Sequence, residues 1–247
     1  MSNFCSKTHI LAFDVDDTLA HSGQPLTPEM CNALDYLAFV QGYQLAFITS
    51  RSYAELEERI PENILRSAYA FTCMGMEFWH QGKMEFQHHF SWPKGLEKAL
   101  HKLVDACGFP DKTGQHIVKR PCKGALSLLG ENHKKAQREA FIKWNKKTQF
   151  LNTAANYLQT QFPSLDVQAF GKTSIDFSDQ KMSKAVMLPH LRKEDSRHVV
   201  FFGDSMQPEG NDFELKQALE DEREENKCLW VNNPDETYRI LTAIIRS

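Results

Sequence analysis

The 247-residue sequence contains no C-x-x-C pair. Its six cysteines, Cys5, Cys31, Cys73, Cys107, Cys122 and Cys228, stand away from any histidine at zinc-binding spacing. This argues against a structural zinc site. A chain of this size can bury enough surface to fold without disulfides, so reduced thiols in a cytoplasmic protein are expected. There is no long basic tract and the net charge is −3, which leaves nucleic acid and anionic membrane without support as partners. The short pairs Lys134-Lys135 and Lys146-Lys147 lie among helix-forming residues and read as solvated helix faces. No long apolar run opens the chain. The stretch MSNFCSKTHILAFDVDDT is only briefly apolar and ends in carboxylates, as a strand would, and unlike a signal peptide or a membrane span. Internal repeats and low-complexity segments are also missing. With 41 % hydrophobic and 25 % charged residues, the composition is that of a soluble globular protein.

What is present is an alternation of buried strands and helices. His9 to Phe13 is a short apolar run that stops abruptly at acids, the pattern of a strand covered on both faces. Thr27-Pro28-Glu29 places an N-cap, a first-turn proline and an acid in order, which predicts a helix through Leu37. Gln44 to Ile48 predicts a second strand, and Tyr53 to Ile60 a helix stopped by Pro61. The grammar then changes. Ala68 to Phe86 reads as short strands, and Trp92 to Cys107 as a helix. His116 to Arg120 and Ala125 to Leu129 read as a hairpin. His133 to Phe162 reads as one long helical stretch, with Phe141, Trp144, Leu151, Ala155 and Leu158 near one stripe. Asp166 to Phe170 and Thr173 to Phe177 are expected strands around a turn at Gly171. After Lys184 the α/β pattern returns, with strands at His198 to Phe202 and Cys228 to Val231 and a closing helix from Pro234 to Ile245. The expected architecture is an α/β parallel-sheet core formed by residues 1–82 and 180–247, interrupted by an α+β insert over 83–179.

Three of the apolar strands end in polar groups: Asp14-Val15-Asp16-Asp17-Thr18, Thr49-Ser50-Arg51 and Gly203-Asp204. In a parallel sheet these ends share one edge, where ligands bind. Carboxylates gathered there would repel one another and raise each other's pKa. A hard divalent cation removes that conflict, and oxygen ligands of this kind suit magnesium.

The motifs resemble those of the haloacid dehalogenase (HAD) superfamily. Asp14-x-Asp16-x-Thr18 is similar to its first motif and Thr49 to its second. Lys184 at the start of a helix is similar to the third, and Gly203-Asp204 with Gly210-Asn211-Asp212 to the fourth. The insert between motifs two and three resembles the type IIB cap. Within that branch the chain is similar to eukaryotic-type phosphomannomutases over nearly its whole length. The stretches FDVDDTLAHSGQPLTPEM, FTCMGMEFWHQGK, Thr173-Ser174-Ile175-Asp176-Phe177, FFGDSMQPEGND and PDETYRIL carry the likeness. The resemblance implies a Rossmann-like HAD core with a cap domain. It implies Asp14 as the nucleophile forming an aspartyl-phosphate, and Asp16 as general acid/base. Thr49 would bind a phosphate oxygen and Lys184 would neutralise charge. Magnesium would be held by Asp14, Asp204 and the Asp16 carbonyl, with Asp212 supporting the metal or Lys184. For substrate it implies Ser174 and Asp176 on sugar hydroxyls and Arg120 and Arg138 on phosphate. It also implies a homodimer through the cap, which no residue pattern here shows.

The sequence departs from that family in several places. The family's arginine after motif one is missing from Ala20-His21-Ser22-Gly23, and a cap arginine is replaced within Gly130-Glu131-Asn132-His133. Thr49-Ser50-Arg51-Ser52 is closer to the T-G-R-S of sucrose-phosphatase-like enzymes, and Asp17 stands where glycine is usual. A mutase must clamp a sugar bisphosphate by its distal phosphate and keep water away; a phosphatase needs neither. Arg51, Lys119, Arg120, Lys123 and Arg138 could supply the clamp. The favoured expectation is a phosphomannomutase-like enzyme acting on hexose phosphates. A magnesium-dependent sugar-phosphate phosphatase is the alternative. An inactive phosphosugar-binding protein is the third reading, opposed by the intact Asp14, Asp16, Thr49, Lys184 and Asp204.

Overall fold

The computed structural model describes residues 9–169 and 172–246; Cys5, Phe170 and the expected Gly171 turn lie outside them. The chain separates into two compact units, Met1–Gln87 with Ser183–Ser247, and His88–Met182. In chain order, the first unit contributes β1 (His9–Phe13), β2 (Gln44–Ile48), β3 (Tyr69–Thr72), β4 (Glu77–His80) and β5 (Lys83–Gln87). The second contributes β6 (Ile117–Lys119), β7 (Gly124–Ser127), β8 (Asp166–Gln168) and β9 (Ser174–Ser178). The chain then returns to the first unit with β10 (His198–Gly203) and β11 (Lys227–Trp230).

The first unit holds a seven-stranded sheet in the order β11-β10-β1-β2-β3-β4-β5. The first five strands in that order are parallel, and β4 and β5 pair antiparallel at one end. Side chains alternate between two apolar layers. Leu11, Phe13, Leu45, Phe47, Val200 and Phe202 enter one cluster, while Ile10, Ala12, Ala46, Ile48, Val199 and Phe201 enter the other. Both faces are therefore covered, which is why these strands read as unbroken apolar runs. Each fully buried Phe or Leu contributes roughly 1.5–3 kcal/mol. Phe13 stands level with Phe47 and with Phe202, so β1, β2 and β10 end together. The chain leaves β1 toward β2 on one side and returns as β10 on the other, the switch point where a crevice opens.

The expected cap boundary at Lys83 moves to His88. Lys83–Gln87 pairs with Glu77–His80 as the edge of the core sheet, because hydrogen bonding to β4 satisfies its backbone there. The insert is a four-stranded antiparallel sheet, β6-β7-β9-β8, with helices Leu96–Ala106, Lys135–Thr148 and Phe150–Gln161. It has its own core, including Leu100, Leu126, Phe141, Leu158, Ile175 and Phe177.

The single long helix expected from His133 to Phe162 is two. It breaks at Gln149, whose φ is 54° and whose backbone is left-handed. Neither glycine nor proline marks the spot. What holds the break is Asn145, whose Oδ1 accepts from Leu151 N–H at 2.9 Å and satisfies a donor exposed at the start of the second helix. Asn145→Ala should therefore cost about 1 kcal/mol, the usual loss for a helix-capping oxygen, read as a lower urea midpoint; an unchanged midpoint would mean the break needs no such support.

Candidate active site

The loop after β1 begins at Asp14, whose N–H donates to Phe202 O at 2.9 Å, tying it to β10. Asp14 is buried. Lys184 comes to it from a 3-10 turn, Lys184–Met187, capped by the Ser183 side chain and running into helix Leu188–Glu194. The lysine is fully buried, and its Nζ lies 2.5 Å from Asp14 Oδ1 and 2.6 Å from Asp212 Oδ1. Asp212, also fully buried, precedes helix Phe213–Glu222, and its Oδ2 accepts from Ser205 N–H at 3.1 Å. Gly203 makes room for it: a Cβ there would sit 2.5 Å from Asp212 Oδ2.

Asp14, Asp204 and Asp212 each bring a carboxylate oxygen within 4.8 Å of the others. Lys184 is bonded to two of the trio, Asp14 and Asp212, and three ionised carboxylates with that one ammonium carry a formal charge of −2. That charge and the all-oxygen donor set fit a divalent cation. The electrostatics agree. Burial pushes Asp14 up to about 7, against the pull of Lys184 and with a further push from Asp212 and Asp204. Burial and then the Asp212 charge also raise Asp204. Burial alone would lower Lys184, but Asp14 and Asp212 more than offset it and hold it above its ordinary value.

Asp16 is not part of the trio through its side chain. Its burial, which would raise its pKa, is outweighed by Arg51 and Arg59, and the carboxyl titrates below the ordinary range. Arg51 Nε lies 2.6 Å from Oδ2 and Nη2 3.1 Å from Oδ1. Arg51 also holds Glu55 at 3.1 Å. The residue expected on substrate is thus engaged inside the site. Asp17, in place of the usual glycine, has φ 59°, and its side chain accepts from Ser22 N–H at 2.9 Å. This left-handed position explains the preference for glycine, and aspartate is among the side chains that tolerate it best. Thr49 is buried at the end of β2; its Oγ1 accepts from Arg51 N–H at 3.2 Å, and its carbonyl from Met74 N–H at 2.9 Å. Cys73 and Met74, neither of them glycine, have positive φ just before the turn expected at Gly75, which places strain beside the site.

Arg120, Arg138, Ser174 and Asp176 belong to the insert. Ser174 and Asp176 share one face of β9, while Ile175 and Phe177 on the other are fully buried. Asp176 Oδ2 pairs with the buried Lys123 at 2.9 Å. Arg120 donates its N–H to Lys123 O in the β6–β7 turn, and Arg138 lies exposed on helix Lys135–Thr148. The residue missed by sequence reading is Arg59, which falls within the helix expected from Tyr53 to Ile60. The helix ends at Glu57, and Arg59 turns inward instead.

A family model described as eukaryotic phosphomannomutase matches residues 36–247. The chain belongs to that family. It is 27 % identical to the phosphomannomutase of Encephalitozoon cuniculi over 96 % of this chain and 93 % of that one. It is 29 % identical to the enzyme of Schizosaccharomyces pombe over 96 % and 94 %. Among solved structures, the C-terminal domain of C. albicans trehalose-6-phosphate phosphatase matches at TM-score 0.70, with 13 % identity, 98 % of this chain and 93 % of that one. A haloacid dehalogenase-like hydrolase from Bacteroides thetaiotaomicron matches at 0.65, with 12 % identity, 96 % and 99 %. At such identities these two show the fold, which is that of HAD enzymes. This phosphomannomutase-family chain is an enzyme, a phosphotransferase or phosphatase. No helix among its described residues is long and apolar enough to cross a membrane.

A carboxyl that titrates near 7 when folded, against 3.8 ordinarily, holds its proton better in the folded chain. Its contribution to stability is full below about pH 4 and is lost as the pH rises through about 7. In chelator, the protein should therefore melt lower at pH 8 than at pH 6, with a smaller drop in Asp14→Asn, which cannot ionise. Equal drops in the two proteins would show that Asp14 does not carry the effect.

Proposed function

We propose that this enzyme is a phosphomannomutase-type phosphotransferase that interconverts hexose 1- and 6-phosphates through an aspartyl-phosphate on Asp14. The observation that carries the reading is the buried bridge from Lys184 to Asp14 and Asp212, in a chain of this family. An oxygen of Asp14 attacks the phosphorus of the substrate. The bond from phosphorus to the sugar oxygen breaks with its electron pair on that oxygen, and the Asp16 carboxyl supplies the proton. Lys184 offsets the negative charge that gathers on Asp14 and the transferred group, and Thr49 binds a phosphate oxygen. Magnesium, held by Asp14, Asp204 and Asp212 with the Asp16 carbonyl, would screen charge between these carboxylates and the phosphate. In the insert, proposed as the cap that sets specificity, Ser174 and Asp176 hold sugar hydroxyls and Arg120 and Arg138 hold phosphate; Arg51 adds a further cation. We assign the enzyme to the cytoplasm on its composition, and to a homodimer formed through the cap on the family likeness alone.

A sugar-phosphate phosphatase is the second reading. It is favoured by the loop Ala20-His21-Ser22-Gly23 and by the cap segment Gly130-Glu131-Asn132-His133, each of which lacks an arginine.

NMR of the protein with magnesium, mannose-1-phosphate and a trace of hexose-1,6-bisphosphate separates them. Mannose-6-phosphate without free phosphate is expected; accumulating inorganic phosphate would establish hydrolysis instead. Asp14→Asn should lower either activity by at least ~10³-fold, in the range reported for loss of a nucleophile. Chelation should abolish activity and magnesium restore it. Persistent turnover in the variant would remove Asp14 from its role, and indifference to chelator would remove the metal.

A further inference from the structure

The Asp16 carboxylate is approached from two sides by unlike arginines. Arg51 comes from the more open side, its side chain 28 % exposed, and engages both oxygens. A substrate oxygen approaching the partly exposed Asp16 carboxylate competes with Arg51 for those atoms, and an incoming phosphate offers the guanidinium a new anionic partner. Arg59 comes from within, its side chain 7 % exposed, with Nη1 3.0 Å from Asp16 Oδ1. That contact is an ion pair without hydrogen-bond alignment, and Nη2 finds no acceptor at all. A buried guanidinium left this poorly satisfied is costly and asks for a reason.

The surrounding contacts fix Arg59 in place. Its Nε donates to Gln24 O at 2.8 Å, its carbonyl accepts from Leu26 N–H at 3.2 Å, and its N–H donates to Leu56 O at 3.0 Å. Arg59 thereby ties the loop that carries Asp16 to the segment that follows Thr49. The same loop is pinned to Asp16 by Gly23 N–H, 3.2 Å from Oδ1.

We infer that Arg59 is a positioning residue for Asp16, holding the carboxyl toward the leaving oxygen while Arg51 exchanges Asp16 for substrate. The inference rests on the role proposed above for Asp16. Arg59 itself touches neither the phosphorus nor the sugar. In the step it serves, the phosphorus–oxygen bond to the sugar breaks, the electron pair stays on the sugar oxygen, and the Asp16 proton neutralises it. Nitrophenolate, a stable anion, leaves without that proton. Misplacing Asp16 therefore harms transfer from a sugar phosphate far more than transfer from an aryl phosphate.

The test is kcat/KM for phosphoryl transfer from glucose-1,6-bisphosphate and from p-nitrophenyl phosphate, in wild type, Arg59→Met and Arg59→Lys. In Arg59→Met the sugar-to-aryl ratio should fall about 10–100-fold, a large part of what a general acid supplies. Arg59→Lys, which keeps the charge, should recover part of it. A ratio unchanged in Arg59→Met, with both activities lost alike, would overturn the inference and leave Arg59 as a structural residue. If Arg59→Met does not fold by circular dichroism, the ratio in Arg59→Lys decides: a fall of about threefold or more supports positioning, and a wild-type ratio overturns it. A wild-type enzyme that transfers from neither donor would defeat the functional reading and this inference with it. Activity on both donors with a fixed ratio defeats the inference alone.

Discussion

The ammonium of Lys184, closed off from solvent between Asp14 and Asp212, is the interaction on which the site depends. Two carboxylates cannot stay buried and ionised side by side without it, and stripping one partner from such an arrangement costs on the order of 3–5 kcal/mol. The arrangement also sets requirements on the rest of the fold. The level ends of β1 and β10 bring Asp14 and Asp204 to one edge. Gly203 must lack a side chain for Asp212 to come close. The turn at Ser183 must deliver the lysine inward, where most lysines face water.

Two carboxyls of one loop, two residues apart, are driven in opposite directions. Burial raises Asp14, and the two arginines lower Asp16. This is the reverse of what the roles proposed for them, nucleophile and proton donor, need. The conflict resolves if the arrangement is a resting one. A divalent cation against the trio would favour an ionised Asp14, and departure of Arg51 would relax the hold on Asp16. Separating two carboxyls by environment is how one loop would supply the two proposed roles.

Much of this was legible in the sequence, and the failures have physical causes. The central strands were readable because burial on both faces demands unbroken apolar runs, and their acidic ends marked the loops that carry Asp14 and Asp204. The strand Gln44–Ile48 and the helix Pro234–Ile245 fall where apolar pattern and capping residues put them. The break at Gln149 was hidden because its support is a side-chain hydrogen bond from Asn145, and the apolar stripe runs on through it. Lys83–Gln87 was misassigned because an edge strand carries a weaker pattern than a central one. Arg59 was invisible for a different reason: burial of an arginine is decided by what lies opposite it in space, and Asp16 lies opposite only after the chain has folded.

The pairing of β1 with β10 also bears on how the chain reaches this state. His9–Phe13 meets its neighbour His198–Gly203 across about three quarters of the sequence, so this central contact is among the more distant the chain makes. Closing so large a loop is entropically unfavourable and slow. The insert, with a core of its own, can collapse early and draw the two halves nearer. Lys184 meets Asp14 across 170 residues of chain, so the buried charges of the site depend on the same long closure.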